Sequence, residues 1–147
     1  METRKERYQR KLENRISEFA GSHMNNSKWS KLFRELAKYN ELIGRCLIKD
    51  VFDSVLHEIE IPQSEDYLHA FHASGIYDVI IGGPYLFIEI EQIIFPRTWT
   101  INRQMRSEKL IPFQHEQNIE GIMKIIGGLG EFEMEIDNSE LVLYAYK

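Results

Sequence analysis

The stretch that decides the fold is "IYDVIIGGPYLFIEIEQIIFP", residues 76–96, which carries the clearest β signal in the chain. β-Branched and aromatic residues fill both halves of the stretch, and a Gly-Gly-Pro sequence at 82–84 interrupts them. Because Gly and Pro favour turns, the pattern predicts two strands, at about 76–81 and 85–94. The connection between them is short, so we expect an antiparallel hairpin.

Two segments outside this hairpin have helical periodicity. Residues 25–44 place their apolar side chains on one wide face, with Asn26 or Ser27 available as the N-cap. That face consists of Trp29, Leu32, Phe33, Leu36, Tyr39 and Ile43. Residues 115–130 repeat the spacing and stop at Gly127-Gly128. Their apolar residues are Ile119, Ile122, Met123 and Ile126.

The remaining segments complete the pattern of elements. Residues 45–61 predict one or two strands, and residues 131–146 predict a hairpin that turns at Asn138-Ser139. Residues 66–75 indicate a loop or short helical turn, and residues 97–114 show no firm period, which favours an extended surface connection. The order of elements predicts an α+β domain with helices packed on one face of an antiparallel sheet, preceded by an N-terminal amphipathic helix.

The N-terminal segment has a helical stripe of its own. Its apolar residues Tyr8, Leu12, Ile16 and Phe19 are separated by charged and polar side chains. The "GSHM" that follows, residues 21–24, matches what an expression vector often leaves before a start codon, so the segment is either native or fusion-derived. We expect a basic amphipathic helix over residues 1–24 and a single α+β domain over 25–147.

Charge is unevenly distributed along the 147 residues. The formal net charge is −5, and residues 1–20 carry a local +2, which leaves −7 for residues 21–147. An acidic body repels nucleic acid and anionic membranes and attracts basic partners. No apolar run approaches the ~20 residues of a membrane span, and no secretory signal is visible. We therefore expect a cytoplasmic protein without nucleic acid or membrane as a partner.

Acidic residues alternate with apolar ones in two predicted strands. The period of two predicts that their carboxylates point away from the core. A solvated face, a protein-binding patch and a metal or catalytic site are the alternatives, and the last requires convergence in a cleft. We interpret the carboxylates as a partner-binding surface, which consists of Glu89, Glu91, Glu131, Glu133, Glu135 and Asp137.

Metal-ligand and nucleophile patterns are weak. Asp66, His69 and His72 are three residues apart and would share one face if the segment were helical, but they match no known ligand signature. His57 and His115 are isolated in the sequence. We therefore predict no catalytic residue, no metal ligand and no cofactor.

Two further features have plain structural interpretations. The single cysteine, Cys46, excludes an internal disulfide and a Cys-based zinc site, and its apolar setting predicts a small buried side chain. Basic and aromatic residues at 97–109 resemble a phosphate-contacting stretch only weakly, and the acidic body opposes that interpretation.

The motifs "NNSKWSKLFRELAKY", "GRCLIKD" and "GGPYLFIEIEQIIFP" resemble a small, uncharacterised bacterial α+β domain family over residues 25–96. Small acidic domains of this kind are similar to the immunity proteins that bacteria encode beside secreted polymorphic toxins. The resemblance implies an immunity protein, or antitoxin, that binds and neutralises a cognate protein toxin and is not an enzyme. The alternative is a small metal-binding domain or enzyme that uses Asp66, His69 and His72 or the strand glutamates.

Overall fold

The computed structural model describes residues 1–53, 55–61, 71–72, 75–76, 85–104 and 110–147. Within these residues the elements in chain order are α1 (Arg4–Ser17), α2 (Asn26–Lys38), β1 (Cys46–Asp50), β2 (Leu56–Ile59), β3 (Phe71–His72), β4 (Gly75–Ile76), β5 (Tyr85–Leu86), β6 (Ile90–Pro96), β7 (Thr98–Gln104), β8 (Leu110–Glu116), α3 (Ile119–Gly127), β9 (Met134–Ile136) and β10 (Glu140–Tyr144). The predicted α+β class and the N-terminal helix are both confirmed.

The main sheet of the described residues has five antiparallel strands in the order β2-β1-β6-β10-β9. Residues that lie opposite one another on adjacent strands share a face. One row on the core face is Ile48, Ile93, Leu143 and Met134. α2 and α3 contribute to the same core through Trp29, Leu32, Phe33, Leu36, Ile119, Ile122 and Ile126.

Both core helices begin at an asparagine cap. The Asn25 side chain accepts a hydrogen bond from the Lys28 amide at 2.8 Å, one residue before the predicted cap. The Asn118 side chain does the same for the amide of Gly121 at 3.0 Å. α3 ends at Gly127, as predicted. These bonds satisfy amides that the first helical turn leaves unpaired.

Helix α1 packs at the end of the sheet where β1 ends and β6 begins. Its N-terminus has a capping box between Thr3 and Glu6. Leu12 is only 2% exposed and belongs to the main hydrophobic core, and Phe19 stacks on Tyr146 with ring centroids 5.4 Å apart. The core therefore contains residues from both sides of the boundary predicted at residue 24.

The predicted strand over residues 85–94 is wrong in one respect. A 3₁₀ turn at Phe87–Glu89 divides it, so that β5 pairs with β4 in a small sheet while β6 joins the main sheet. Phe87 is buried beside Trp29 and Phe33, with ring centroids 5.8 Å from each, and this packing favours a turn over a continuous strand. The β4–β5 pair is antiparallel, as predicted, and its connection lies outside the described residues.

Two segments predicted to be irregular contain strands. The described residues of the predicted loop at 66–75 belong to β3 and β4. Residues 97–114 are not a plain connection, because β7 and β8 pair over seven residue positions. β7 and β8 pair with no other described strand. A two-stranded ribbon of this kind need not have an apolar face, so its sequence need not alternate between apolar and polar residues. Gln117 anchors its base with a hydrogen bond to the Pro96 carbonyl at 2.6 Å.

Candidate protein-interaction surface

Four carboxylates lie at alternate positions along β9 and the residues beside it, and we call them the acidic row: Glu131, Glu133, Glu135 and Asp137. β9 and β10 form the predicted hairpin. Glu135 lies opposite Val142, which places it on the sheet face away from α2 and α3. The side chains between these acids, Phe132, Met134 and Ile136, pack against the core, so the predicted alternation is correct here.

Lys147 contacts two members of the acidic row. Its Nζ lies 3.2 Å from Glu133 Oε1 and 2.6 Å from Glu135 Oε1. The Tyr144 hydroxyl donates to Glu135 Oε2 at 3.0 Å. The hydrogen bond from Lys147, followed by that from Tyr144, lowers the pKa of Glu135. The carboxylates remain accessible, since the side chains of Glu133 and Glu135 are 41% and 57% exposed.

Asp137 has a structural role as well as a charge. Its Oδ1 accepts hydrogen bonds from the amides of Ser139 at 2.7 Å and Glu140 at 2.9 Å, which fixes the β9–β10 turn. These two backbone bonds lower its pKa. Arg97 lies nearby, but its Nη1 donates to Glu120 Oε2 at 2.9 Å. The first basic residue of the basic and aromatic stretch at 97–109 is thus already paired.

Glu91 does not belong to an exposed acidic surface, which corrects the sequence prediction. It is 3% exposed and lies at an irregularity between β1 and β6, where Lys49 pairs with Gln92 and Asp50 pairs with Ile90. Glu91 Oε2 accepts a hydrogen bond from Lys49 Nζ at 2.7 Å, and Oε1 accepts one from Arg15 Nη2 at 3.3 Å. Its charge is compensated internally by two cations.

The alternation predicted for residues 85–91 is wrong because a 3₁₀ turn interrupts the strand. The 3₁₀ turn shifts the phase, so that Phe87 is buried while Ile88 is 45% exposed. Glu89 is half-buried, and its Oε1 accepts a hydrogen bond from the Leu86 amide at 3.2 Å. Burial, together with the charge of Glu89 and a hydrogen bond to it, raises the pKa of Tyr8 to about 12. Glu89 is engaged with α1 and not with the acidic row.

The proposed Asp66–His69–His72 metal set falls largely outside the described residues, and only the backbone of His72 in β3 is described. Among the described residues, another group of potential ligand atoms lies within 4.8 Å: Asp50, Asp53 and His57.

Backbone hydrogen bonds give that group a structural explanation. Asp50 Oδ1 accepts from the amides of Phe52 and Asp53, and Asp53 Oδ1 accepts from the amide of Val55. The two aspartates thereby build the turn between β1 and β2. His57 is isolated in the sequence, yet its Nε2 is 3.9 Å from Asp50 Oδ2 in the structure. The spacing of three and four residues between these side chains was the available sequence signal.

Cys46 is buried, as predicted, and burial raises the pKa of its thiol well above the usual range. A nucleophilic role is therefore unfavourable. None of the helices formed by the described residues has the length and apolarity that a bilayer crossing requires.

Comparisons of the chain with known family models, curated proteins and solved structures find no match.

Proposed function

We propose that this protein is a cytoplasmic immunity protein that binds a cognate toxin and blocks it without catalysing a reaction. The observation that carries the proposal is the acidic row on the edge strand β9. Its members project from one short segment on a rigid hairpin, and the opposite face of that hairpin packs on the core. The resemblance over residues 25–96 supports the same class.

Charge supports a basic partner. Lys147 contacts two carboxylates of the acidic row, while Lys28 bonds to the Glu131 carbonyl and Arg97, which is paired with Glu120, bonds to the Asp137 carbonyl. With Glu120 and these three cations counted, the surface keeps a formal charge of about −2. Such a surface accelerates encounter with an oppositely charged protein, up to roughly 10⁸ M⁻¹s⁻¹ at low salt. Fast capture suits a protein that must intercept a toxin before it acts.

The test is protection of growing cells. The reading frame beside this gene is expressed from an inducible promoter, with and without the immunity candidate, and growth is recorded. We expect arrest without the candidate and growth with it. The triple variant E131K/E133K/E135K should lose protection while remaining folded by circular dichroism.

A matched control carries the same change of charge elsewhere. Glu13, Glu41 and Glu60 are exposed and lie outside the acidic row. The variant E13K/E41K/E60K should protect as well as the wild type. Equal loss in both variants would reject the acidic row as the binding surface, and failure of the wild type to protect would reject the immunity function.

The competing proposal is a metal-binding domain or small enzyme. The close approach of Asp50, Asp53 and His57 is the described observation that favours it. Metal analysis of protein purified without chelators discriminates between the two proposals. One equivalent of tightly bound Zn²⁺ or Mn²⁺, lost in D50N/H57A, would support the competitor.

A further inference from the structure

β9 lies at the edge of the main sheet and pairs with β10 alone among the described strands. The Asp137 amide donates to the Glu140 carbonyl, and the Tyr144 amide donates to the Glu133 carbonyl. In an antiparallel pair, alternate residues of an edge strand bond to the neighbour and the others direct their backbone groups outward. Residues 133, 135 and 137 therefore bond inward, and Met134 and Ile136 direct their amides and carbonyls away from the sheet.

An open groove of about 600 Å³ continues this edge toward the N-terminal segment. It is lined by Ser22, His23, Lys28, Gly130, Glu131, Phe132, Glu133 and Met134. Lys28 lies on one side of it, where its Nζ donates to the Glu131 carbonyl at 2.8 Å. The groove and the free backbone groups of β9 are adjacent, so an extended chain can lie along both.

We propose that a strand of the toxin adds to the free edge of β9 and places lysine or arginine side chains opposite the acidic row. This inference rests on the proposed function, because it describes how the toxin binds. Strand addition uses backbone hydrogen bonds for affinity and alternate side chains for specificity. The negative charge of the acidic row favours a basic strand at this edge.

The geometry matches a strand with basic residues at every second position. Alternate residues on a strand are roughly 6.8 Å apart, and Glu133 and Glu135 have that spacing. Toward an added antiparallel strand, both would occupy non-hydrogen-bonded positions, where opposing side chains approach most closely. A second copy of β9 would instead place carboxylates opposite carboxylates, which disfavours self-association.

Lys147 already occupies the position of such a cation. Its Nζ contacts both Glu133 and Glu135, so it competes with a basic residue of the incoming strand. Removal of this side chain should therefore strengthen the binding of a basic strand. It would also strengthen the binding of basic peptides to any nonspecific acidic patch, so slowed exchange of the β9 backbone amides is the measurement that distinguishes strand addition.

The experiment uses a synthetic nine-residue peptide in which Lys alternates with Val and Thr, compared with a peptide of the same composition whose Lys residues are consecutive. Binding is followed by fluorescence anisotropy, and amide exchange by NMR. We expect the alternating peptide to bind at least about tenfold more tightly and to slow exchange of the Met134 and Ile136 amides. The inward amides of Glu135 and Asp137 serve as internal controls.

Substitutions in the acidic row and at Lys147 test the same contacts. E133K/E135K should weaken binding by about tenfold or more, K147A should tighten it by roughly threefold at low salt, and E41K/E60K should leave it unchanged. If E133K/E135K does not fold, E133Q/E135Q tests the same contacts. Equal binding of both peptides without amide protection would overturn the proposal, and so would a dimer in solution that protects the same amides.

The peptide assay requires no toxin, so its outcome is separable from the growth test. Protection of cells together with no peptide pairing would reject strand addition and leave the immunity function intact. Peptide pairing together with no protection of cells would reject the immunity function and leave the strand-binding edge.

Discussion

Residues 88–91 and residues 131–136 both alternate glutamate with apolar side chains, yet the first segment buries a charge and the second exposes its charges. Glu91 lies on β6, the central strand, and is compensated by Arg15 and Lys49. Glu135 lies on the edge strand β9 and contacts Lys147 and Tyr144 at the surface. The position of a strand in the sheet therefore decides whether an alternating carboxylate stabilises the fold or presents charge.

Removal of the buried carboxylate, Glu91, should reduce the stability of the protein most. Glu91→Ala removes the buried carboxylate that Arg15 and Lys49 share, and these two cations are themselves partly exposed. We expect the free energy of unfolding to fall by about 2 kcal/mol, as measured by urea denaturation. Glu135→Ala, the matched change on the edge, should lower the urea midpoint by a much smaller amount. Equal urea midpoints for the two variants would contradict the distinction between a stabilising buried glutamate and an exposed one.

A smaller effect is expected from the helix side of the same cluster. Arg15 Nε also donates to the Val51 carbonyl at 2.6 Å, and its guanidinium lies 4.5 Å from the Phe19 ring centroid. Arg15→Met keeps the apolar stem and leaves Lys49 paired with Glu91, so we expect a loss of about 1–2 kcal/mol. Increased proteolysis within α1 would accompany it. Arg10→Met, on the exposed face of α1, is the control and should match the wild type.

The smallest effect is a pH dependence on the exposed side. Because hydrogen bonds lower the pKa of Glu135 in the folded state, its contribution to stability is complete above the ordinary pKa of 4.5 and is lost as pH falls through the lowered value. The difference in Tm between the wild type and E135Q should therefore shrink as the pH falls below 4.5. In the K147M background, where the first donor is missing, the difference should be smaller at every pH. A difference that grows in acid would contradict this assignment.

Local periodicity sufficed for the helices and for the last hairpin. The stripes of α2 and α3 bury most of the residues that the sequence marks, and the alternation around Met134 places the acidic row correctly. The exception is Tyr39, which follows the end of α2 at Lys38 and is 42% exposed. Here each local preference agrees with the tertiary packing, which is the situation in which pattern analysis succeeds.

Elsewhere the deciding contacts are distant in sequence. Phe87 turns inward to reach Trp29, which shifts the phase of the strand that contains Glu91. The cations that hold Glu91 come from α1 and β1, and no pattern near residue 91 indicates them. Among the described strands β7 and β8 pair only with each other, and no pattern in either strand indicates this pairing. The proximity of Asp50 and His57 likewise depends on the turn that Asp50 itself stabilises.

The pairing between the two ends of the described chain has a consequence for the order of folding. Residue Ser22 forms a β-bridge with Tyr146, and the backbones of Gly21 and Lys147 bond to each other in both directions. During synthesis, α1 emerges early, but the segment that clamps it and the Glu91 that anchors Arg15 emerge much later. The ion pair of Arg15 with Glu91, and the backbone bonds of Gly21 and His23 with residues 145–147, can therefore form only after those later residues have been synthesised.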